Sequence, residues 1–166
     1  MLVAVAAQYI LFAVLACAAV VWLTLRERER VAMLLAFGLA VVVGGGLLLA
    51  SAVGWYDPRP FVVDGTIPLF PHSPDNGFPS DHTVAASLVA GVVMGFRLRI
   101  GLSLLFASIL LGAARVAAQV HHVPDIVAGI LIGLAAAAVG VILAHAAIGA
   151  WAGWRLPWHR ANPQPA

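Results

Sequence analysis

The stretch IVAGILIGLAAAAVGVILAHAAIG, residues 126–149, decides the fold class of this chain. Apart from His145 it carries no ionisable side chain. A continuous apolar run of this length can cross the hydrocarbon core of a bilayer as one helix. Other long apolar stretches precede it, over residues 3–25, 31–53, 83–96 and 100–119. The sequence therefore predicts an all-α, polytopic transmembrane helix bundle with about five spanning helices.

Composition indicates the same class. Of the 166 residues, 63% are hydrophobic and 10% are charged, and the mean hydropathy is +1.01. These values lie outside the range of soluble domains. The length suits one membrane-embedded domain over residues 1–166. The first apolar run is longer than a removable signal peptide and lacks its basic start and cleavage site.

Residues 54–79, between the second and third apolar stretches, are predicted to form a long irregular outer loop. Prolines interrupt this segment repeatedly, so it is expected to be mostly non-helical. A connection of this length in a compact protein favours a functional loop over a passive tether. Beyond it, Ser80 or Asp81 is expected to cap the third helix, and Pro124 marks the start of the fifth.

The arginines predict the orientation of the bundle. With five spans, Arg59, His82, Arg115, His121 and Asp125 fall at one end. The other end receives seven arginines: Arg26, Arg28, Arg30, Arg97, Arg99, Arg155 and Arg160. Because cytoplasmic ends carry the excess of arginine and lysine, we expect the polar residues on the outer side of the membrane, away from the cytoplasm.

Two further expectations concern what the chain contacts. The tail over residues 150–166 combines tryptophans with arginines and is predicted to anchor the bundle at the membrane interface. The arginines form no basic stripe interleaved with aromatic residues, so nucleic-acid binding is not expected. The partners are instead membrane lipids.

The ionisable residues at the outer end suit phosphoryl transfer. Ionisable side chains in a membrane protein are costly and are therefore functional candidates. Arginine forks match phosphate oxygens, so Arg59 and Arg115 could clamp a phosphoryl group, helped by amides near Ser80 and Asp81. The alternative for an arginine at a membrane boundary is a simple interfacial anchor.

The histidines could supply the nucleophile and the acid. His121 and Asp125 are four residues apart, a spacing that places two helical side chains on one face. The carboxylate could hold the imidazole neutral and in one tautomer for attack on phosphorus, while His82 acts as general acid and then base. The alternatives are structural histidines and a helix-capping Asp125. Non-catalytic roles are expected for His72 and His145, and a secondary role for His122.

These residues carry a family resemblance. Arg59-Pro60, Pro79-Ser80-Asp81-His82, and Arg115 spaced from His121 and Asp125 resemble the three signature blocks of the type 2 phosphatidic acid phosphatases, a family of integral-membrane lipid phosphatases. The resemblance implies His121 as nucleophile, His82 as acid/base and Asp125 as orienting carboxylate. It also implies phosphate contacts from residues at the matching positions: Arg59, Ser80, Asp81 and Arg115.

The resemblance extends to substrate and cofactors. Residues 75–82 are similar to the branch that dephosphorylates undecaprenyl diphosphate, which implies this lipid diphosphate as substrate, with neither metal nor other cofactor. The chain departs from the family's pattern at Ala52, where a lysine usually stands, at Ala114 instead of serine, and at Asp81 instead of glycine.

Several functions remain open from the sequence. The same chemistry could serve phosphatidylglycerol phosphate or phosphatidate. A different class would be a non-catalytic haem or metal carrier using His82, His121 and His122. A third is an inactive family member that only binds lipid phosphate. A metal hydrolase is disfavoured because these residues lack a second helix-borne pair of histidine and glutamate ligands.

Overall fold

The computed structural model describes the backbone of residues 1–155 and the side chains of residues 1–149. Within these residues the chain is helical and forms no β-strand. The helices in chain order are α1 (Leu2–Thr24), α2 (Glu27–Gly54), the short α3 (Pro60–Val63), α4 (Asp81–Met94), α5 (Leu98–Ala117) and α6 (Val123–Arg155). The predicted all-α bundle is confirmed.

The five predicted apolar stretches all become helices, and four of these are long enough to span a membrane: α1, α2, α5 and α6. The fifth, α4, has 14 residues and is about 21 Å long at 1.5 Å per residue. That is shorter than the ~30 Å hydrocarbon core of a bilayer. The chain turns at Gly95, and α5 starts at Leu98.

The short helix α4 is the centre of the bundle. It packs against α1, α2, α5 and α6, so its neighbours screen it from lipid on all sides. Its buried hydroxyls bond to backbone carbonyls: Thr83 Oγ1 donates to Ser80 O at 2.9 Å and Ser87 Oγ to Thr83 O at 2.6 Å. The polar atoms of α4 are thereby satisfied inside an apolar bundle.

Glycines bring α4 and α6 into close contact. A Cβ added at Gly91 would lie 2.6 Å from Ala137 Cβ, and one at Gly133 would lie 2.8 Å from the backbone nitrogen of Leu88. Small residues let helix backbones approach in this way. The contact continues to the ends of the two helices, where the backbone N–H of Ser80 donates to the carbonyl of Asp125 at 3.2 Å.

The predicted boundaries agree with the structure. Ser80 occupies the N-cap position of α4, although its side chain makes no capping hydrogen bond, and Pro124 lies in the first turn of α6. The loop over residues 54–79 is irregular apart from α3. The predicted interfacial tail lies outside the residues whose side chains are described, so Trp154, Arg155, Trp158, His159 and Arg160 stay predictions.

Candidate active site

His121 lies in the turn between α5 and α6, and 1% of it is exposed. Its Nε2 is 3.1 Å from Arg115 Nη2 and 3.2 Å from Arg59 Nη1. A guanidinium group can only donate hydrogen bonds. Nε2 must therefore accept from both arginines, and its lone pair faces the two positive charges.

Asp125, in the first turn of α6, fixes the other side of the ring. Its Oδ2 lies 3.2 Å from His121 Nδ1 and accepts the backbone N–H of His122 at 2.9 Å. The proton of the imidazole is thus placed on Nδ1. Burial and the two arginines lower the pKa of His121, against the opposing effect of Asp125, so the ring is neutral at neutral pH.

Arg59 and Arg115 reach His121 from different parts of the chain. Arg59, just before α3, donates from Nε to Asp75 Oδ1 at 2.8 Å and from Nη1 to the carbonyl of Val120 at 2.8 Å. Arg115, in the last turn of α5, donates to the carbonyl of Ala7 in α1 at 3.3 Å. Both guanidinium groups are buried and held in place.

The start of α4 supplies the remaining predicted residues. Ser80 is fully buried, and its Oγ has no hydrogen-bond partner among the described residues. His82 and Asp81 form a separate pair, with His82 Nδ1 2.8 Å from Asp81 Oδ1. Within the described side chains no hydrogen bond links this pair to His121. The His82 side chain is 30% exposed.

The structure therefore brings four of the predicted residues into one hydrogen-bonded cluster: Arg59, Arg115, His121 and Asp125. Ser80 joins it through its backbone. Asp81 and His82 lie beside it. Such a cluster offers a neutral nucleophile next to two fixed positive charges, an arrangement suited to an anionic electrophile such as a phosphoryl group.

Loop residues complete the cluster, and the sequence interpretation placed none of them in the site. His72, for which a non-catalytic role was expected, places its Nε2 3.2 Å from Arg115 Nη2. Asp75 pairs with Arg59. The available signal was the density of ionisable residues in a long proline-rich segment, but such a segment has no periodicity from which to predict side-chain directions.

Asn76 holds this loop in shape. Its side-chain oxygen accepts the backbone N–H groups of Asp57 and Phe78, each at 3.0 Å. Its amide nitrogen donates to the carbonyls of Ala52 at 3.0 Å and Trp55 at 2.9 Å. Ala52, at the position of the family's usual lysine, thus contributes a backbone contact that ties the loop to α2.

A second group of ligand-type atoms lies behind Asp125. Asp57, His122 and Asp125 each place one such atom within 4.8 Å of the others, a spacing that could hold a metal ion. Burial and the nearby Asp125 raise the pKa of Asp57. A proton retained on Asp57 would relieve the repulsion between the two carboxylates without a metal.

Curated relatives match much of the chain. Undecaprenyl-diphosphatase BcrC of Bacillus subtilis (strain 168) is 31% identical over 115 residues, which cover 69% of this chain and 58% of that protein. Bacitracin transport permease protein BcrC of Bacillus licheniformis is 28% identical over 138 residues, covering 79% of this chain and 64% of that protein. The chain thus matches about three fifths of the length of these relatives.

A solved structure has the same fold. The crystal structure of LpxE from Aquifex aeolicus aligns with a TM-score of 0.61 at 26% identity, over 84% of this chain and 80% of that one. The profile of the PAP2 superfamily matches residues 31–149. That range contains α2 from residue 31 onward, the loop and every residue of the cluster around His121. On these grounds the chain belongs to the PAP2 superfamily.

Proposed function

We propose that this protein is a membrane lipid phosphatase that works through a phosphohistidine on His121. One observation carries the proposal: Nε2 of His121 faces Arg59 and Arg115, while Asp125 holds Nδ1. A buried imidazole fixed in this way presents its lone pair where a phosphate would be bound. No metal is needed, because the arginines supply the positive charge.

In the first step Nε2 of His121 attacks phosphorus, and the bond from phosphorus to the leaving oxygen breaks. The electron pair of that bond stays with the oxygen, which takes a proton from His82. Arg59 and Arg115 transfer their hydrogen bonds from Nε2 to the phosphoryl oxygens. The ring now carries phosphorus on Nε2 and a proton on Nδ1, and the carboxylate of Asp125 stabilises its positive charge.

In the second step water hydrolyses the phosphohistidine. His82, now neutral, takes a proton from the water as its oxygen attacks phosphorus. The bond from Nε2 to phosphorus breaks, and its electron pair returns to the ring as the lone pair. Inorganic phosphate leaves, and His121 is restored as the neutral tautomer with its proton on Nδ1.

For the substrate we propose undecaprenyl diphosphate, cleaved to undecaprenyl phosphate and inorganic phosphate. Support comes from residues 75–82 and from the likeness to a protein named undecaprenyl-diphosphatase. The cluster itself recognises a phosphoryl group, so phosphatidylglycerol phosphate and phosphatidate are the comparison substrates. We place the site on the outer side of the bacterial cytoplasmic membrane, since the far end of the bundle carries the surplus of arginines.

Phosphate release by the purified protein tests the reaction. We expect release from undecaprenyl diphosphate in the presence of EDTA, and slower release from the two monophosphates. His121→Ala should abolish both turnover and the acid-labile phosphoenzyme, while His145→Gln, at the far end of α6, should leave both unchanged. Activity that requires an added divalent metal, or that survives in His121→Ala, would contradict the mechanism.

Labelling tests the orientation. The chain has one cysteine, Cys17, so Cys17→Ser provides a background without thiols. Thr66→Cys in that background lies in the exposed loop and should react with a membrane-impermeant maleimide added to intact cells. Arg28→Cys, an exposed position in the first turn of α2 at the opposite end of the bundle, serves as the cytoplasmic control. Labelling of Arg28→Cys but not of Thr66→Cys would show that the protein has the opposite orientation.

A further inference from the structure

His72 is a half-buried loop histidine that the mechanism above does not use. Arg115 Nη2 lies 3.2 Å from His72 Nε2 and 3.1 Å from His121 Nε2. The two imidazole nitrogens share one donor, so they cannot be farther apart than the two distances laid end to end, roughly 6 Å. The rings meet edge to face, with centroids 6.3 Å apart.

This separation matches a phosphate. During attack by His121, phosphorus and its oxygens occupy the space next to Nε2 and beside Arg115. Reacting atoms are held about 3 Å apart before such a step, and a phosphoryl oxygen extends beyond phosphorus by a further bond length. A group no more than roughly 6 Å from the nucleophile lies within hydrogen-bond reach of those oxygens.

The fold holds His72 in this place. Its ring packs against Phe70, with centroids 6.1 Å apart, and the neighbouring Leu69 donates its backbone N–H to the carbonyl of Ala118 at 3.2 Å. Ala118 is the C-cap residue of α5, the helix that carries Arg115. The loop around His72 is therefore attached to the element that bears one of the phosphate-binding arginines.

We propose that His72 is a ligand of the phosphoryl group, a contribution of the loop that faces His121 across the phosphate site. The proposal rests on the phosphatase function proposed above. In the resting protein Nε2 accepts a hydrogen bond from Arg115, since a guanidinium only donates. When phosphate binds, Arg115 donates its hydrogen bond to the phosphate. His72 takes a proton from solvent on Nε2, and this N–H donates a hydrogen bond to a phosphate oxygen.

The charges around His72 explain why the proton arrives with the ligand. Arg115 on α5, Arg59 ahead of α3 and His121 in the α5–α6 turn face it. Burial first, and then the two arginines, lower the pKa of His72, so the free protein keeps it neutral. A phosphate dianion between the arginines reverses the local charge and favours the imidazolium.

Titration calorimetry with inorganic phosphate tests the proposal on the full-length protein in detergent. His72→Phe keeps the ring and its packing but removes both nitrogens. We expect phosphate to bind at least about tenfold more weakly to this variant, because a charge-assisted hydrogen bond is lost. Titrations in buffers of different ionisation enthalpy count the protons taken up when phosphate binds. His72→Phe should take up about one proton fewer than the wild type. Protons gained or lost by phosphate itself are the same for both proteins and cancel in this comparison.

Controls separate binding from structure and the lipid from free phosphate. His72→Asn retains a neutral donor and should recover part of the affinity without the proton uptake. Phe70→Leu loosens the packing of His72 but keeps its nitrogens, so it should retain the proton uptake. With the lipid diphosphate as substrate, the His72→Phe change should appear chiefly in KM.

The outcomes distinguish the two proposals. Equal phosphate affinity and proton uptake in wild type and His72→Phe would overturn the role of His72 while the phosphoenzyme chemistry stands. Loss of affinity for the lipid with unchanged phosphate binding would also overturn it, because His72 would then contact the lipid portion. A wild-type protein that neither binds phosphate nor forms a phosphoenzyme would overturn both.

Discussion

Asp125→Asn isolates the charge of the carboxylate from its geometry. The asparagine oxygen can take the place of Oδ2, which accepts from His121 Nδ1 and from the backbone N–H of His122. Its amide nitrogen then replaces Oδ1, which is buried without a hydrogen-bond partner among the described residues. The ring therefore keeps its tautomer and position, and what the variant loses is the negative charge.

The distance sets the size of the effect. A unit charge on the phosphorylated ring of His121 lies 3.2 Å from Asp125, and Coulomb's law with an effective dielectric constant of about 20 gives an attraction of about 5 kcal/mol. If about half of that charge has developed in the transition state, about 2.5 kcal/mol is lost. The rate of phosphoenzyme formation should therefore fall by roughly 10².

Rapid-quench single turnover with the lipid diphosphate measures this rate as acid-labile phosphoenzyme. Asp125 does not contact the phosphate in the proposed mechanism, so the substrate concentration for half-maximal rate should change little. Asp125→Ala is the matched comparison: it also leaves the His122 amide without its acceptor and frees the ring, so it should lose more activity and some thermal stability. A rate for Asp125→Asn within about threefold of the wild type would refute the electrostatic role of Asp125.

Other perturbations have equally definite expectations. Arg115→Lys should lower kcat/KM for the lipid diphosphate by about tenfold or more, since one compact ammonium cannot donate as a planar fork; equal kcat/KM would contradict this. In the pH profile of kcat/KM, the acid limb that reports His121 should have its midpoint below the ordinary histidine pKa, because burial and the arginines lower the pKa of His121. A midpoint above the ordinary value would contradict this assignment. Asp57 has a raised pKa, so the stability that it contributes is present at acid pH and lost as pH rises through that value. Asp57→Asn should therefore be more thermostable than the wild type at neutral pH. A lower melting temperature would show instead that an ionised Asp57 stabilises the fold. Gly133→Ala should destabilise the bundle by about 1–3 kcal/mol through a clash with α4, whereas Gly45→Ala, with nothing within 4 Å of its added Cβ, should not; denaturation in detergent compares the two.

The helices were predictable because their signal is long and redundant. Each spanning helix is an apolar run in which single residues matter little, and a membrane leaves such a run few alternatives to a helix. The length of α4 could not be predicted from its own sequence in this way. Its end at Met94 depends on the turn at Gly95, where an added Cβ would lie 2.7 Å from Val141 Cγ1, a contact between distant parts of the chain.

The candidate site also combines contacts that the sequence predicts with contacts that it does not. The spacing of four residues places His121 beside Asp125, and the order of the helices brings Arg59 and Arg115 to the same end, so these meetings follow from local rules. His72 follows no such rule, because its position is set by packing against Phe70 and by the hydrogen bond from Leu69 to Ala118 at the end of α5. The direction of the His82 side chain, paired with Asp81, was likewise beyond what residue spacing determines.

The shortness of α4 has a consequence for how the protein is made. A helix about 21 Å long that begins with Asp81 and His82 is a poor substrate for the insertion machinery by itself, since charged residues at membrane depth are costly. Two of the helices that surround it, α5 and α6, are synthesised after it. We therefore expect α4 to settle at its final depth only once α6 has emerged, so that biogenesis ends with the same α4–α6 contact that joins Ser80 to Asp125.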